Sequence, residues 1–331
     1  MRALNVFMIN KKLYYILTLI GLIFLISCSD KPEVASTPET NKNITLVVKM
    51  QTGDYWKTVR MGAEAAAKEF NVNLNVLEPK DEEDVSGQIA LVNESIRQGT
   101  AAIVLAANDY NALAEAAEQA AGQRIPVITI DSEVNSSKVR SFIGINNYEA
   151  GRKAGRKLIQ LTGDHGRIAV MSNGKDSRNS VQRERGLMEE IAQYPDVQVL
   201  KKEYCFSDKK LCGEQTRKII EEHTKIDGII ALNAISSLGV ANEIQRLGLA
   251  GKVKVITFDN TPEDIEFLQE GVIQATLIQN PFSMGYLGVK YAVEALGGKK
   301  IPEFVDTGTK VIDQENMFWS DNQKLLFPFV K

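Results

Sequence analysis

From Ile44 onward the chain alternates short apolar runs with longer stretches in which apolar residues return every three or four positions. ITLVVKM (Ile44 to Met50), AAIVLA and PVITI are almost continuously apolar, the pattern of strands covered on both faces, and NLNVL falls between them as a further strand. The intervening stretches predict the covering helices. Tyr55 to Phe70 puts Val59, Gly62, Ala63, Ala66 and Phe70 on one face, and Val85 to Gln98 and Ala112 to Ala121 follow. A second series begins at RIAVM (Arg167 to Met171) and runs through a helix to Glu190, VQVLKKEY, a helix around Gln215 to Glu222, GIIAL, a helix to Leu247, and VKVITF. Strands that alternate with helices in this way predict an α/β fold of two doubly wound parallel-sheet lobes.

The two series also resemble each other. AAIVLAAND, a helix and PVITIDSE in the first match DGIIALNAI, a helix and VKVITFDNT in the second. Asn108 precedes Asp131 by 23 residues and Asn233 precedes Asp259 by 26. Each series therefore carries an amide and a carboxylate at the carboxyl ends of successive core strands, where open α/β sheets bind their ligands. Two such edges facing each other define a cleft with polar groups on both sides.

Upstream of Ile44 the pattern changes. Arg2, Lys11 and Lys12 precede the uncharged run from Leu13 to Ser27, which ends at Cys28. That layout predicts an export signal over residues 1–27, and the run is shorter than the ~20 residues a membrane-spanning helix needs. Leu25-Ile26-Ser27-Cys28 looks like a bacterial lipobox, which implies a diacylglyceryl group on Cys28 as the mature N-terminus. Residues 28–43 read as the lipidated cysteine and a polar tether carrying Pro32 and Pro38.

Composition narrows the function classes. The net charge is -3 with the two signs interspersed, so no basic surface for nucleic acid is predicted. His165 and His223 are the only histidines, and they form no metal-ligand spacing with the cysteines. After export, Cys205 and Cys212 have six residues between them; a disulfide is one reading in an oxidising compartment and two free thiols the other. The loop QTGDYWKT after the first strand lacks the Gly-x-Gly-x-x-Gly turn of a dinucleotide site. No nucleophile motif appears, which leaves a hydrolase using Asp131 and Asp259 as acid and base as the remaining enzyme reading. An effector domain of a transcription regulator would need a helix-turn-helix where this chain has its export signal.

The residues at the predicted cleft match the chemistry of a sugar, whose hydroxyls both donate and accept while its C–H faces are apolar. Asp131 and Asp259 are acceptors, Asn233 and Gln279 offer both functions, and Arg183 in SVQRERG is a charged donor. Tyr55, Trp56 and Phe206 provide rings. On these residues the chain, from about Ile44 to Ile312, resembles the type I periplasmic binding proteins, especially the ribose-binding-like branch that feeds ABC sugar importers. The resemblance maps the first-loop aromatic pair onto Tyr55 and Trp56, the first-lobe aspartate onto Asp131, the arginine opening the RERG motif onto Arg183, the stacking phenylalanine onto Phe206, and the cleft amides and second aspartate onto Asn233, Gln279 and Asp259. Asn146 and Asn147 near the crossover are further contact candidates.

The resemblance implies a three-segment hinge, with crossings near Ile145, Asn280 and Thr309. An N-terminal lobe of 44–145 plus 280–308 and a C-terminal lobe of 146–279 plus 309–331 follow from it. It also implies a monomer without cofactor or catalytic residues, partnered by an ABC permease or, alternatively, by a membrane sensor kinase or chemoreceptor. Gly53 and Asp54 stand where ribose binders carry Asn and Pro, and Ser132 where they carry Arg. That last change removes a charged donor, and hydrogen bonds to charged groups are worth about 1.5–3 kcal/mol each.

Overall fold

In a computed structural model of the chain, residues 43–327 are described. The expected export signal, Cys28 and the expected tether up to residue 42 lie outside these residues. Among the described residues no helix is long and apolar enough to cross a membrane.

The first series builds β1 (Asn43–Val47), α1 (Asp54–Glu69), β2 (Asn73–Leu77), α2 (Val85–Arg97), β3 (Ala102–Leu105), α3 (Ala114–Gly122), β4 (Val127–Ile130) and β5 (Ser141–Gly144). The second builds α4 (Asn147–Thr162), β6 (Gly166–Ser172), α5 (Arg178–Ile191), β7 (Val197–Tyr204), α6 (Lys209–Glu222), β8 (Gly228–Ala231), α7 (Ala234–Arg246), β9 (Lys254–Phe258), α8 (Pro262–Glu270) and β10 (Ala275–Ile278). The chain then adds α9 (Pro281–Leu296), β11 (Phe304–Asp306), β12 (Lys310–Asp313) and α10 (Ser320–Leu326).

Two six-stranded sheets result, ordered β11-β5-β4-β3-β1-β2 and β12-β10-β9-β8-β6-β7. All pairings are parallel except β10 with β12. The chain passes between sheets after β5, after β10 and after β11. β11 joins the first sheet and β12 the second, so each sheet contains a strand from the far end of the sequence. Strand order reverses beside β1 in the first sheet and beside β6 in the second, and the crevice at such a reversal is where doubly wound sheets receive ligands.

Central strands β3, β4, β8 and β10 are buried along their whole length, as their unbroken apolar runs predict. The helices pack against them, and in each lobe one helix pair approaches closely enough for backbones to touch. A Cβ built on Gly62 of α1 meets the Phe282 carbonyl of α9, and one on Gly285 of α9 meets the Val59 carbonyl of α1. The second lobe repeats this between α4 and α5: a Cβ on Gly151 meets the Arg183 carbonyl, and one on Gly186 meets that of Tyr148. Glycine is required at these four positions because two helices share the space a methyl group would fill.

Several elements were not in the sequence pattern. β5 is four residues long, too short to show periodicity. The buried stripe of α4 contains Gly151 and Gly155, which weaken a hydrophobic signal. Helix α6 starts at Lys209, earlier than the stretch around Gln215, because the Asp208 side chain accepts from the backbone N–H groups of Lys210 and Leu211.

Candidate ligand cleft

The two aspartates singled out by the repeat occupy equivalent places. Asp131 follows β4 and Asp259 follows β9, with φ of 60° and 73°, the left-handed region that Asp and Asn tolerate better than other side chains. Each donates its backbone N–H to the neighbouring strand, Asp131 to Ile143 O at 3.0 Å and Asp259 to Leu277 O at 2.8 Å. The same backbone turn thus aims one carboxylate from each sheet into the space between the lobes.

A cavity of about 110 Å³ lies there, lined by Lys49, Tyr55, Trp56, Asp131, Asn179, Arg183, Asn233, Asp259 and Gln279 among others. A larger space of about 500 Å³ adjoins it on the hinge side and shares Tyr55, Asp259 and Gln279. From the first lobe, Tyr55 donates its hydroxyl to Asp131 Oδ1 at 2.8 Å and stacks edge-on against Trp56 at 5.1 Å. Burial, reinforced by Asp131, pushes the Tyr55 hydroxyl well above its ordinary pKa, so it stays a neutral donor.

From the second lobe, Arg183 is 2 % exposed. Its Nε donates to Asn147 Oδ1 at 2.8 Å, its Nη1 to Leu232 O at 2.9 Å, and its guanidinium lies 4.6 Å from the Phe258 ring centre. Nη2 is buried without a hydrogen-bond partner. Gln279 donates to Asp259 Oδ1 at 2.8 Å, while its Oε1 is likewise unpartnered. Unmet buried donors and acceptors cost about 1–3 kcal/mol each, and here one of each belongs to a residue that lines the same cavity. Burial is the main cause that lifts the Asp259 carboxyl to about 6, against the pull of Arg183 and the Gln279 hydrogen bond.

Seven of the eight residues read from the sequence as ligand contacts therefore line one cavity. Phe206 does not: it is 43 % exposed and lies outside the lining. The reason is local. Phe206 and Ser207 both have positive φ, at 53° and 52°, in a loop tied by the Cys205–Cys212 disulfide. Ser207 beside it bonds two residues that line the cavity, donating to Glu82 Oε2 at 2.7 Å and accepting from Asn233 Nδ2 at 2.8 Å. Asn146 caps α4, and Asn147 orients Arg183 rather than lining the cavity. Asn108 braces the first lobe, donating to the backbone carbonyl of Lys49 at 3.1 Å.

Sequence reasoning missed Lys49, Ser177 and Asn179. Lys49 is 1 % exposed; its Nζ lies 2.6 Å from Ser177 Oγ, 3.3 Å from Asn179 Oδ1 and 3.4 Å from Asp131 Oδ2. Asn179 Nδ2 in turn donates to Asp131 Oδ2 at 3.0 Å. The legible signal was a lysine inside an otherwise apolar strand run, since lysine is almost never fully buried unpaired. Ser177 and Asn179 sit at the start of α5 and had no signal of their own. With the Glu82 contacts, these bonds join the lobes directly. Among the described residues no group of three or more His, Cys, Asp or Glu is placed to hold a metal.

Comparison with known proteins agrees with this architecture. The chain is similar to the ribose import binding protein of Bacillus subtilis, at 24% identity over 92% of this chain and 100% of that one. It is also similar to the D-ribose/D-allose-binding protein of Pseudomonas aeruginosa, at 25% identity over 85% of this chain and 91% of the other. A carbohydrate transporter solute binding protein from Agrobacterium radiobacter, solved in complex with D-arabinose, superposes with a TM-score of 0.84 at 31% identity over 87% of this chain and 99% of that chain. One from Agrobacterium vitis with bound D-fucose gives 0.84 at 28% identity, over 86% and 99% of the two chains. The family described as periplasmic binding protein domain matches residues 44–300, and with two parallel sheets meeting at a shared cleft, this chain belongs to that family.

Proposed function

We propose that the protein is an extracytoplasmic solute-binding protein that captures a neutral monosaccharide or similar polyol between its lobes and delivers it to an ABC importer. It is a binding protein rather than an enzyme, as are the relatives named above. The observation that carries the reading is a pair of unmet groups on two residues that line one cavity, Arg183 Nη2 and Gln279 Oε1. A hydroxyl satisfies either as acceptor or donor. Four charged side chains surround the cavity almost fully buried, Lys49 and Arg183 against Asp131 and Asp259. Their balance favours a neutral ligand over a sugar acid or amine. Sugars named in complexes of similar proteins, D-arabinose and D-fucose, are of this kind.

In this reading Tyr55, Trp56 and Asp131 hold the ligand from a lobe formed by 44–145 plus 280–308. Arg183, Asn233, Asp259 and Gln279 hold it from a lobe formed by 146–279 plus 309–331. Full contact exists only when the lobes are closed, so ligand selects the closed state. A thermal-shift screen of the mature domain against pentoses, hexoses and polyols tests the reading: a specific ligand at 100 times its dissociation constant adds about 2.7 kcal/mol of stability. A panel that leaves the melting temperature unchanged removes the sugar assignment.

Affinity follows the ionisation of Asp259. With its pKa at about 6, the ionised share falls from about nine-tenths at pH 7 to about one-tenth at pH 5, so a sugar held by the carboxylate binds about 10-fold more weakly at pH 5. The free protein responds in the opposite sense: a pKa raised above the ordinary 3.8 contributes stability that is present at low pH and lost as pH rises through about 6. Isothermal calorimetry at the two pH values checks this, and Asp259→Asn should flatten the dependence.

We place the protein, as a monomer, at the outer face of the membrane through lipid on Cys28, on the strength of the lipobox-like residues 25–28. Cys28→Ala is expected to release it into the soluble extracytoplasmic fraction. Unchanged membrane retention with an unchanged mature mass excludes the anchor.

A further inference from the structure

Resting on the sugar-binding reading and deepening it, we propose that the captured ligand is a glycoside. Its sugar ring lies in the inner cavity, and an apolar group carried on its anomeric oxygen lies in the larger space on the hinge side.

Size is the first observation. Sites that enclose a small ligand run to about 300–1,000 Å³. The inner cavity has about 110 Å³ and the adjoining space about 500 Å³, so the side chains that suit a sugar occupy the smaller part of the room between the lobes. Continuity is the second. Asp54, Tyr55, Asp259, Thr261 and Gln279 line both spaces, and a ring held by Asp259 and Gln279 therefore stands at the border of the outer one.

The walls of the two spaces differ in chemistry. Met61 of α1, Pro281 at the start of α9, and Pro262, Leu325 and Phe327 give the outer space an apolar lining, and Met61 is 42 % exposed. The polar side chains there are engaged with one another or with backbone. Lys57 donates to Asp54 at 2.8 Å, Thr58 to the Asp54 carbonyl at 2.8 Å and Thr261 to Asp264 at 2.8 Å, while Asn280 accepts the Ser283 N–H at 3.0 Å. Asn260 donates to the carbonyls of Leu325 and Leu326 at 3.0 and 3.3 Å, which ties the end of α10 to the loop after β9 as the second-lobe wall. Among the described residues, none that lines only the outer space has a buried side-chain N or O without a partner. The unmet groups, Arg183 Nη2 and Gln279 Oε1, both belong to residues of the inner lining. A second sugar ring would bring several hydroxyls to side chains already bonded elsewhere, and unmatched polar groups cost affinity. An alkyl or aryl group needs no such partner and gains by leaving water.

The test compares glycosides that differ only in the apolar group. Calorimetry first ranks D-ribose, D-allose, D-arabinose and D-fucose on the wild type. The tightest of them and its methyl and phenyl glycosides, in both anomers, are then titrated into wild type, Met61→Glu, Leu325→Ala and Asp259→Ala. In the wild type one phenyl anomer is expected to bind about 10-fold more tightly than its methyl counterpart, from the apolar area the phenyl ring buries. Met61→Glu places a charge on the wall of the outer space, at an exposed helical position where glutamate is well tolerated. It is expected to bind the free sugar as wild type does and to bring the phenyl advantage below about 2-fold. Leu325→Ala shortens the wall on the second lobe and is expected to reduce the same advantage, which tests the idea from the other side if Met61→Glu fails to fold. Phenyl glycosides of both anomers that bind no better than the methyl ones, or an advantage that survives unchanged in Met61→Glu and Leu325→Ala, overturn the proposal, while a free sugar whose binding is lost in Asp259→Ala leaves the sugar-binding reading standing. Asp259→Ala that binds like wild type, or a wild type blind to all four sugars, overturns both.

Discussion

Asp259→Ala lowers affinity for the sugar by about 30-fold to 1000-fold, equivalent to roughly 2–4 kcal/mol, and leaves the protein folded. The carboxylate sits at the end of β9, hydrogen-bonded by the Gln279 amide and by the Ala234 backbone, and Asp259 lines the cavity. Its removal leaves the bound sugar's hydroxyls without an ionised acceptor and frees the Gln279 amide to rotate. Two effects on stability oppose each other. Alanine in a left-handed conformation carries strain of about 1–3 kcal/mol, and losing a carboxyl whose ionised form is desolvated returns part of it at neutral pH. The melting temperature should therefore change little while binding collapses. Calorimetry beside Glu118→Ala, an exposed residue hydrogen-bonded to Ser136, separates the outcomes. Equal affinities for the two variants would remove Asp259 from the site. Asp259→Asn, which tolerates the same backbone, isolates the charge from the conformation.

Gly186→Ala, the smallest change available at that position, is expected to destabilise the second lobe by about 3 kcal/mol and to weaken sugar binding with it. The added methyl falls on the Tyr148 carbonyl of α4, an atom of the backbone that cannot rotate away. The two helices must separate, and because Gly186 is three residues from Arg183 on α5, the guanidinium loses its geometry against Asn147 and Leu232. Gly122→Ala is the contrast. A Cβ there meets nothing within 4 Å, and alanine in a helix is favoured over glycine by up to about 1 kcal/mol. Thermal melts and calorimetry on the two variants measure both effects; a Gly186→Ala protein as stable as Gly122→Ala would mean that the α4–α5 contact is looser than described.

Asp131 and Asp259 were legible because a repeated strand-end pattern needs no knowledge of distant parts of the chain. The buried strands β3, β4, β8 and β9 were legible for a similar reason: four or five apolar residues between turn signals admit few other readings. Phe206 falls outside the cavity lining, and its sequence position after a strand says nothing about backbone hand, which two consecutive left-handed residues set there. The return of β11 to the first sheet and β12 to the second was carried by the family resemblance. Strands of three and four mostly exposed or half-buried residues are too short to show periodicity.

The sequence by itself determined two parallel-sheet lobes, the polar strand ends that face one another, and the aspartates, arginine and amides at the cleft, since these depend on local pattern and on an internal repeat. Only the tertiary structure decided that Lys49 joins them, that Asn147 serves Arg183, and that Ser177 and Asn179 tie the lobes together. Each of those roles rests on a contact between residues 36 to 130 positions apart, and such a contact exists only once both sheets have closed around the same space.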